Sequence, residues 1–233
     1  YDPRTEIPPR HLFGPTVRRR AVHFYSRQEV CRLLQSASGL GQLHPLRGQT
    51  FCTLLGLLDC TGLRIGEALA LAEKDIDWDA GILTIRRAKY GRARIIPLHR
   101  STLEKLRAYQ GIRDQLIRPT LAPSFFVTIR GKPLGYRGVS ATFRDLCRSL
   151  GWSQEPIPRL HDLRHSFAVR TLLSWYRSGE PVEPKLWTLS TYLGHRHLAD
   201  TYWYLSAVPE LMALSQQRFA AAQLWASGGP HHD

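Results

Sequence analysis

The chain has 233 residues, of which 43% are hydrophobic and 22% are charged, an ordinary balance for a globular protein with a hydrophobic core. Its formal net charge of +13 favours a polyanionic partner, either a nucleic acid or an anionic membrane surface. Membrane binders usually concentrate positive charge on one amphipathic helix or tail. Here lysine and arginine are spread from Arg4 to Arg218, so we expect a nucleic acid.

Two further patterns bear on where the protein acts. Every apolar run falls short of the roughly 18–20 residues that are needed to cross a bilayer. The first residues also lack the charged and apolar regions of a secretory signal. These patterns predict a cytoplasmic, nucleoid-associated protein that makes no membrane contact.

The predicted elements begin after residues 1–21, whose proline and arginine content is typical of an extended arm or an interdomain linker. Ser26 and Glu29 then form a capping-box pattern, which predicts the start of a helix that runs to Leu34. Apolar periodicity predicts further helices over residues 50–60, 65–71, 101–116, 139–150, 161–176, 185–193 and 209–225.

The period changes from helical to extended in the middle of the chain. Residues 82–85 and 94–98 read as two strands joined by a polar connection, and residues 125–127 read as a third short strand. The predicted fold class is therefore mainly α with a small antiparallel β-sheet (α+β). We expect one folded unit over residues 22–225, followed by a flexible tail over residues 226–233.

Arg64 is the first residue that is suited to a phosphodiester. It lies between Gly62 and Gly66 at a helix junction, where glycine allows close approach of another chain and a helix N-terminus favours an anion. Its planar guanidinium can hold two phosphate oxygens. An arginine near a helix start is also commonly just solvated, so this segment alone does not decide between the two interpretations.

A second segment contains His161, Arg164 and His165, which share one helical face because their spacings are three, four and one. Two imidazoles flanking a guanidinium suit a cleft better than a core. Two histidines at i and i+4 also match the spacing of metal ligands. However, Arg164 between them would repel a divalent cation and no third ligand is evident, so we predict no metal site.

The third segment runs from the sequence L-G-H, which ends at His195, to the phenols of Tyr202 and Tyr204. Most of the nine tyrosines must be packing residues. A tyrosine in this segment becomes a candidate functional residue because arginines and histidines that are suited to bind a phosphate occur in the same predicted domain.

These three segments resemble, in order and spacing, the signature boxes of the tyrosine recombinase (phage integrase) family. Residues 61–67 resemble the first arginine box, residues 161–165 the H-x-x-R box, and residues 193–195 the L-G-H box. Tyr204 lies at the family's usual offset from the histidine of that last box, whereas Tyr202 does not. The resemblance covers residues 22–225 and implies the DNA breaking-rejoining catalytic-domain fold of these enzymes.

The resemblance also implies a catalytic lysine on a β-hairpin, upstream of an R-x-x-P-L strand. Residues 94–98 match that strand, which assigns the lysine position to Lys89, and Tyr90 stands where the family usually has glycine. Arginines crowd this hairpin. We expect four of them to bind DNA: Arg86, Arg87, Arg92 and Arg94.

The chemistry that the resemblance implies needs neither a metal, a cofactor nor ATP. The implied catalytic set is Arg64, Lys89, His161, Arg164, His195 and Tyr204. In it Tyr204 attacks the phosphodiester to form a 3′-phosphotyrosyl link, Lys89 protonates the leaving oxygen, and His161 assists removal of the phenolic proton. The arginines and the third histidine bind the phosphate. Glu67 and His165 are expected to be supporting residues.

The resemblance further implies double-stranded DNA as partner and a homotetramer on two DNA sites, acting in integration, excision or transposition of a mobile element. Related enzymes carry a DNA-clamping domain before the catalytic one, and the composition of the arm favours its loss by truncation. The C-terminal helix, over residues 207–225, has the apolar content either to dock on a neighbouring subunit or to pack in cis. Two alternatives remain open: a type IB topoisomerase-like enzyme and a catalytically decayed DNA-binding accessory protein.

Overall fold

The structure, a computed structural model, describes residues 20–42, 44–86, 93–117 and 123–227. Within these ranges the elements are α1 (Arg27–Gly39), α2 (Pro45–Thr61), α3 (Ile65–Leu69), β1 (Ile76–Asp77), β2 (Ile82–Ile85), β3 (Arg94–Pro97), α4 (Arg100–Leu116), α5 (Tyr136–Ser149), α6 (Leu160–Arg177), α7 (Val182–Leu193), α8 (Ala199–Ala207) and α9 (Pro209–Ser227). This mainly helical architecture with a small antiparallel sheet confirms the predicted fold class.

The sheet has the order β1-β2-β3 and is antiparallel throughout. In the β2–β3 hairpin Ile85 lies opposite Arg94, and Leu83 opposite the buried Ile96, so the two predicted strands are confirmed. The strand predicted over residues 125–127 is wrong. Those residues are at most 1% exposed, but among the described residues this segment forms only isolated β-bridges and no continuous strand pairing. Its apolar residues are explained by burial in the core, and sequence alone cannot distinguish such a short buried run from a strand.

Several helix ends follow directly from local chemistry. The predicted capping box opens α1: the Ser26 hydroxyl accepts from the backbone N–H of Glu29, and the Glu29 carboxylate accepts from the backbone N–H of Ser26. Helix α2 ends at Gly62, whose φ of +62° is left-handed. A Cβ atom there would lie 2.6 Å from the Phe167 ring, so glycine is required both by conformation and by space.

Two clusters of buried side chains form the core. The larger one surrounds α2, which is apolar on nearly every side and is covered by α1, α4 and α6. The smaller one joins α6, α7, α8 and the first turns of α9. Helix α6 therefore contributes to both clusters, and its N-terminal turn lies where α2, α7 and α8 come together.

Helix α9 packs in cis on the C-terminal end of α6. Leu211 is fully buried in the second cluster, and the Arg218 guanidinium donates to the carbonyl oxygens of Tyr176, at 2.7 Å, and Glu180, at 2.5 Å. An ion pair between Arg177 and Glu210 adds to this contact. Among the described residues, no helix combines the length and apolar character needed to span a bilayer.

Candidate active site

A cavity of about 370 Å³ opens beside the N-terminal turn of α6. Its walls come from the start of α3, the first turns of α6, the segment after α7, α8 and residues before α1. The lining residues are Arg20, Val22, Arg64, Arg159, His161, Arg164, His165, His195, Asp200, Trp203 and Tyr204. Five of the six residues of the predicted catalytic set therefore line one cavity. The sixth, Lys89, lies outside the described residues, as do Arg87 and Arg92.

The last turn of α7 holds three arginines by three successive carbonyl groups. Arg94 Nε donates to the carbonyl of Tyr192 at 2.8 Å, Arg164 Nη2 to that of Leu193 at 2.5 Å, and Arg64 Nη2 to that of Gly194 at 2.7 Å. Carbonyls at a helix C-terminus lack partners within the helix and carry partial negative charge, so they attract cations. The helix end thus fixes the positions of three guanidinium groups that come from α6, β3 and the start of α3.

Arg164 is the most buried of these cations, with 2% of its surface exposed. Besides its contact with α7, it donates through Nη1 to the carbonyl of Gly62 at 2.8 Å, so it bridges the C-terminal ends of α2 and α7. Burial, together with the nearby charge of Arg64, lowers the pKa of Arg164 to about 9. The group still carries its charge at neutral pH, inside the wall of the cavity.

Glu67 connects Arg64 with Arg94. Arg94 makes a bidentate pair with both Glu67 carboxylate oxygens at 2.7 and 2.8 Å, and the Arg64 side chain donates to the same carboxylate at 3.0 Å. Burial opposes the charge of Glu67, but hydrogen bonds from Arg94 and from the Arg64 backbone outweigh it and lower the pKa to about 2. The carboxylate is therefore ionised and holds Arg64 in the cavity wall.

The hairpin arginines differ from one another in their surroundings. Only 9% of the Arg94 side chain is exposed, and it donates to Glu67 and to α7, so Arg94 helps to position the cavity wall, and the DNA contact expected of it stays a prediction. Arg86 is 58% exposed and pairs at 2.6 Å with the buried carboxylate of Asp75. Its exposure is compatible with the DNA contact expected of it, which stays a prediction.

His195 is oriented by a residue that the sequence analysis missed. Its Nδ1 atom lies 2.8 Å from the hydroxyl of Thr201, which is fully buried in α8. Thr201 precedes Tyr204 by three residues, one helical turn, and that spacing was the available signal. Burial and the charge of Arg164 lower the pKa of His195 to about 4. The neutral imidazole is thus tied to the same helix that carries Tyr204.

The two phenols of this segment have contrasting environments. Tyr204 is 1% exposed, and its hydroxyl lies 2.9 Å from Nδ1 of His165. Tyr202 is 46% exposed on the outer face of α8. The alternate direction of the two side chains on a helix explains the contrast, because residues two apart point to different faces. Of the two, Tyr204 lines the cavity.

His161 and His165 lie one turn apart on α6, and their ring centroids are 4.6 Å apart. Although the His161 side chain is partly exposed, desolvation by the surrounding protein and the charge of Arg164 lower its pKa to about 4. Burial, followed by His161 and Arg159, lowers the pKa of His165 to about 3. Across the described ranges no three His, Cys, Asp or Glu side chains gather as metal ligands would.

These histidines predict a pH dependence of stability. The folded pKa values of about 3 for His165 and about 4 for His195 lie below the ordinary value of 6.5, so between these limits the unfolded chain binds protons that the folded chain does not. The free energy of unfolding should therefore fall as the pH is lowered from 7 to 5, by about 1–2 kcal/mol for each of these two histidines. His161, whose pKa is also lowered, should add less because it is more exposed to solvent. Protonation of Glu67 changes the stability mainly below its ordinary pKa of 4.5, which lies outside this pH range. Urea denaturation at the two pH values measures the effect.

The variant His165→Asn serves as the control for this prediction. It removes one of the titrating groups, so its unfolding free energy should depend less steeply on pH than that of the parent chain. An equal slope in the two proteins would contradict the assignment.

A model described as the phage integrase family matches residues 24–210, most of the chain. The chain belongs to the phage integrase family. This confirms the resemblance carried by the three sequence boxes. The chain is thus a tyrosine-type recombinase, an enzyme of DNA recombination. Neither of the two alternatives, a topoisomerase-like enzyme or a decayed accessory protein, is favoured.

Relatives of this recombinase include the putative integrase/recombinase y4rB of Sinorhizobium fredii (strain NBRC 101917 / NGR234), which is 42% identical over 93% of this chain and 71% of the relative. The tyrosine recombinase XerD of Staphylococcus saprophyticus is 28% identical over 76% of this chain and 55% of the relative. This chain therefore spans little more than half the length of that second relative.

Solved structures agree on the fold. The crystal structure of the XerA recombinase has a TM-score of 0.64 at 22% identity and covers 97% of this chain and 67% of its own. The XerH site-specific recombinase, in a pre-cleavage complex with its difH substrate, has a TM-score of 0.66 at 22% identity over 91% of this chain and 56% of its own. The predicted recombinase catalytic-domain fold is confirmed by these matches.

Proposed function

We propose that this recombinase breaks and rejoins strands of double-stranded DNA at specific sites through a 3′-phosphotyrosyl intermediate, with Tyr204 as nucleophile. The observation that carries the proposal is the buried Tyr204 hydroxyl in one cavity with Arg64, Arg164 and His195. A phosphate in that cavity would meet guanidinium groups already held in place by Glu67 and the α7 carbonyls.

The proposed reaction exchanges one phosphodiester for another. The Tyr204 oxygen bonds to the scissile phosphorus while the bond to the 5′-oxygen breaks, and the covalent link conserves the energy for rejoining without ATP. Arg64, Arg164 and His195 bind the non-bridging oxygens as negative charge builds on them. The family resemblance assigns protonation of the leaving 5′-oxygen to Lys89.

The proposed DNA surface surrounds the mouth of this cavity. The net charge of +13 supplies sequence-independent attraction to phosphates. Arg20 and Arg159 line the cavity with 51% and 38% of their side chains exposed, and Arg86 is exposed on the neighbouring hairpin. We include these three as phosphate contacts, together with Arg87 and Arg92 on the sequence argument alone.

The proposed assembly is a tetramer on two DNA sites, acting in the cytoplasm at the nucleoid on a mobile element, by integration, excision or transposition. Residues 22–225 would form the catalytic unit, with residues 1–21 as an extended arm or interdomain linker and residues 226–233 as a tail. The cis contact of Leu211 and Arg218 anchors the first part of α9, so any contact with a neighbouring subunit would use the later part of that helix.

The test uses a duplex nicked close to the cleavage point, so that a short fragment diffuses away and traps the covalent adduct. The adduct should form equally with and without EDTA, and digestion followed by mass spectrometry should find the nucleotide on the peptide that contains Tyr204. A nucleotide on Tyr202, or an adduct lost with EDTA, would overturn the proposed mechanism. Because the cognate sequence is needed, the duplex should carry the ends of the element that encodes the chain.

A further inference from the structure

Resting on the proposed function, we propose that His165, rather than His161, accepts the proton of the Tyr204 hydroxyl as it attacks the scissile phosphate. The family resemblance had assigned this proton to His161 and left His165 as a supporting residue. The contacts around the phenol point to the second histidine of the H-x-x-R-H segment.

The geometry of the phenol carries the assignment. The Tyr204 hydroxyl lies 2.9 Å from His165 Nδ1, within the range required of a general base before reaction. The two rings are 5.6 Å apart between centroids, with Trp203 packed 5.5 Å from the same imidazole. His161 stacks edge-on against the His165 ring at 4.6 Å and is itself exposed. His165 is thus enclosed between the outer histidine and the nucleophile helix.

The protonation state of His165 fits an acceptor. Nδ1 can accept the phenolic hydrogen only in the neutral tautomer that carries its proton on Nε2. Four neighbouring groups oppose a second proton on His165: His161 and Arg164 on α6, Arg159 just before α6, and His195 after α7. From α8, the Tyr204 hydroxyl faces the His165 ring. Together with burial the four groups lower the pKa of His165 to about 3, so its lone pair is available at neutral pH.

The same cations make proton transfer depend on the substrate. An imidazolium beside Arg159 and Arg164 is unfavourable while the cavity holds no anion. A phosphodiester bound to Arg64 and Arg164 brings negative charge into the cavity, and the transition state adds more, so both stabilise the imidazolium. The phenol would then become a strong nucleophile only when a phosphate is in place, which protects Tyr204 from reacting with other electrophiles.

The step balances in both directions. The bond from Tyr204 Oη to phosphorus forms, the bond from phosphorus to the 5′-oxygen breaks, the phenolic proton moves to His165 Nδ1, and the general acid of the proposed function protonates the 5′-oxygen. In rejoining, the 5′-hydroxyl attacks the phosphotyrosine and gives its proton back to the group that protonated it during cleavage, while the bond from phosphorus to the Tyr204 oxygen breaks. The His165 imidazolium then returns its proton to the departing Tyr204 oxygen.

The experiment measures the single-turnover rate of adduct formation on the nicked duplex between about pH 6 and about pH 9. The variant His165→Asn places an amide oxygen near the position of Nδ1, which keeps a hydrogen-bond acceptor but cannot take a proton. It should slow adduct formation about 100-fold near neutral pH. Its rate should then rise with hydroxide concentration toward that of the parent chain, because hydroxide ionises the phenol directly. His161→Asn should lower the rate without this recovery at high pH.

Two results would overturn the assignment. A His165→Asn rate equal to that of the parent chain would mean that the histidine only positions the phenol. Recovery at high pH in His161→Asn instead would return the role to His161. Circular dichroism and DNA affinity of each variant separate these results from misfolding, and His165→Gln provides a second substitution if His165→Asn does not fold. Failure of the proposed function looks different, because the parent chain would then form no adduct on Tyr204 at any pH.

Discussion

Replacing Tyr204 with phenylalanine should abolish the covalent protein–DNA adduct and all recombination. The change removes one oxygen and keeps the ring that packs in the second core cluster, so the fold should lose the hydrogen bonding of a single hydroxyl, including the contact with His165, at a cost of about 1 kcal/mol. Affinity for DNA should remain, because the cations that bind phosphate are untouched. Denaturing gels of the reaction on the nicked duplex measure the adduct, and gel shifts measure the affinity.

Tyr202→Phe is the matched control, since it removes the same oxygen two residues away from an exposed ring. It should form the adduct at the rate of the parent chain. If Tyr204→Phe still forms an adduct, or if only Tyr202→Phe loses it, Tyr204 is not the nucleophile. The pair therefore tests the offset from His195 that first distinguished the two phenols in the sequence.

Replacing Glu67 with alanine should lower the free energy of unfolding by about 3–5 kcal/mol, the usual cost of removing one partner from a buried ion pair. The change leaves the guanidinium of Arg94, 9% exposed, without its bidentate partner, and frees Arg64 from one of its two anchors. Adduct formation should also slow, because Arg64 would no longer be held in the orientation that a phosphate requires. Urea denaturation gives the stability and the nicked duplex gives the rate.

Glu104→Ala is the surface control for this prediction. Glu104 pairs with Arg100 at 3.1 Å, but the two side chains are 62% and 90% exposed, and such pairs contribute at most about 1 kcal/mol. A Glu67→Ala variant no less stable than Glu104→Ala would show that the buried network does not hold the arginines. Loss of stability with an unchanged rate would limit Glu67 to the fold.

The sequence predicted the long helices well because their apolar residues recur at the helical period and their ends carry recognisable signals, such as the capping box at Ser26 and the glycine after α2. It missed α8, which carries Tyr204. That helix begins after Leu198 with no capping side chain, and its aromatic residues have modest helix propensity. Contacts with α7 and α9, far outside the window of a periodicity argument, stabilise it.

The site was predictable where function needs a fixed order of residues, and the three boxes do meet in one cavity. Partnerships between distant residues were not predictable. Arg94 reads as one more arginine in a basic hairpin, and only the fold shows that β3 brings it to Glu67, 27 positions earlier. Likewise His161 and His165 are equivalent in a helical projection until α8 places the Tyr204 hydroxyl beside one of them.

The three carbonyls at the end of α7 have a consequence for how substrate is held. Arg64, Arg94 and Arg164 lose their side-chain freedom when the protein folds, so binding a phosphate orders fewer groups and gains more of each contact. The same carbonyl groups partly offset the positive charge of the arginines, so the affinity of the site for a bound phosphate is lower than it would be without them. An enzyme that must release a rejoined strand benefits from both effects, because the arginines are preorganised for the phosphate and the phosphate can still dissociate.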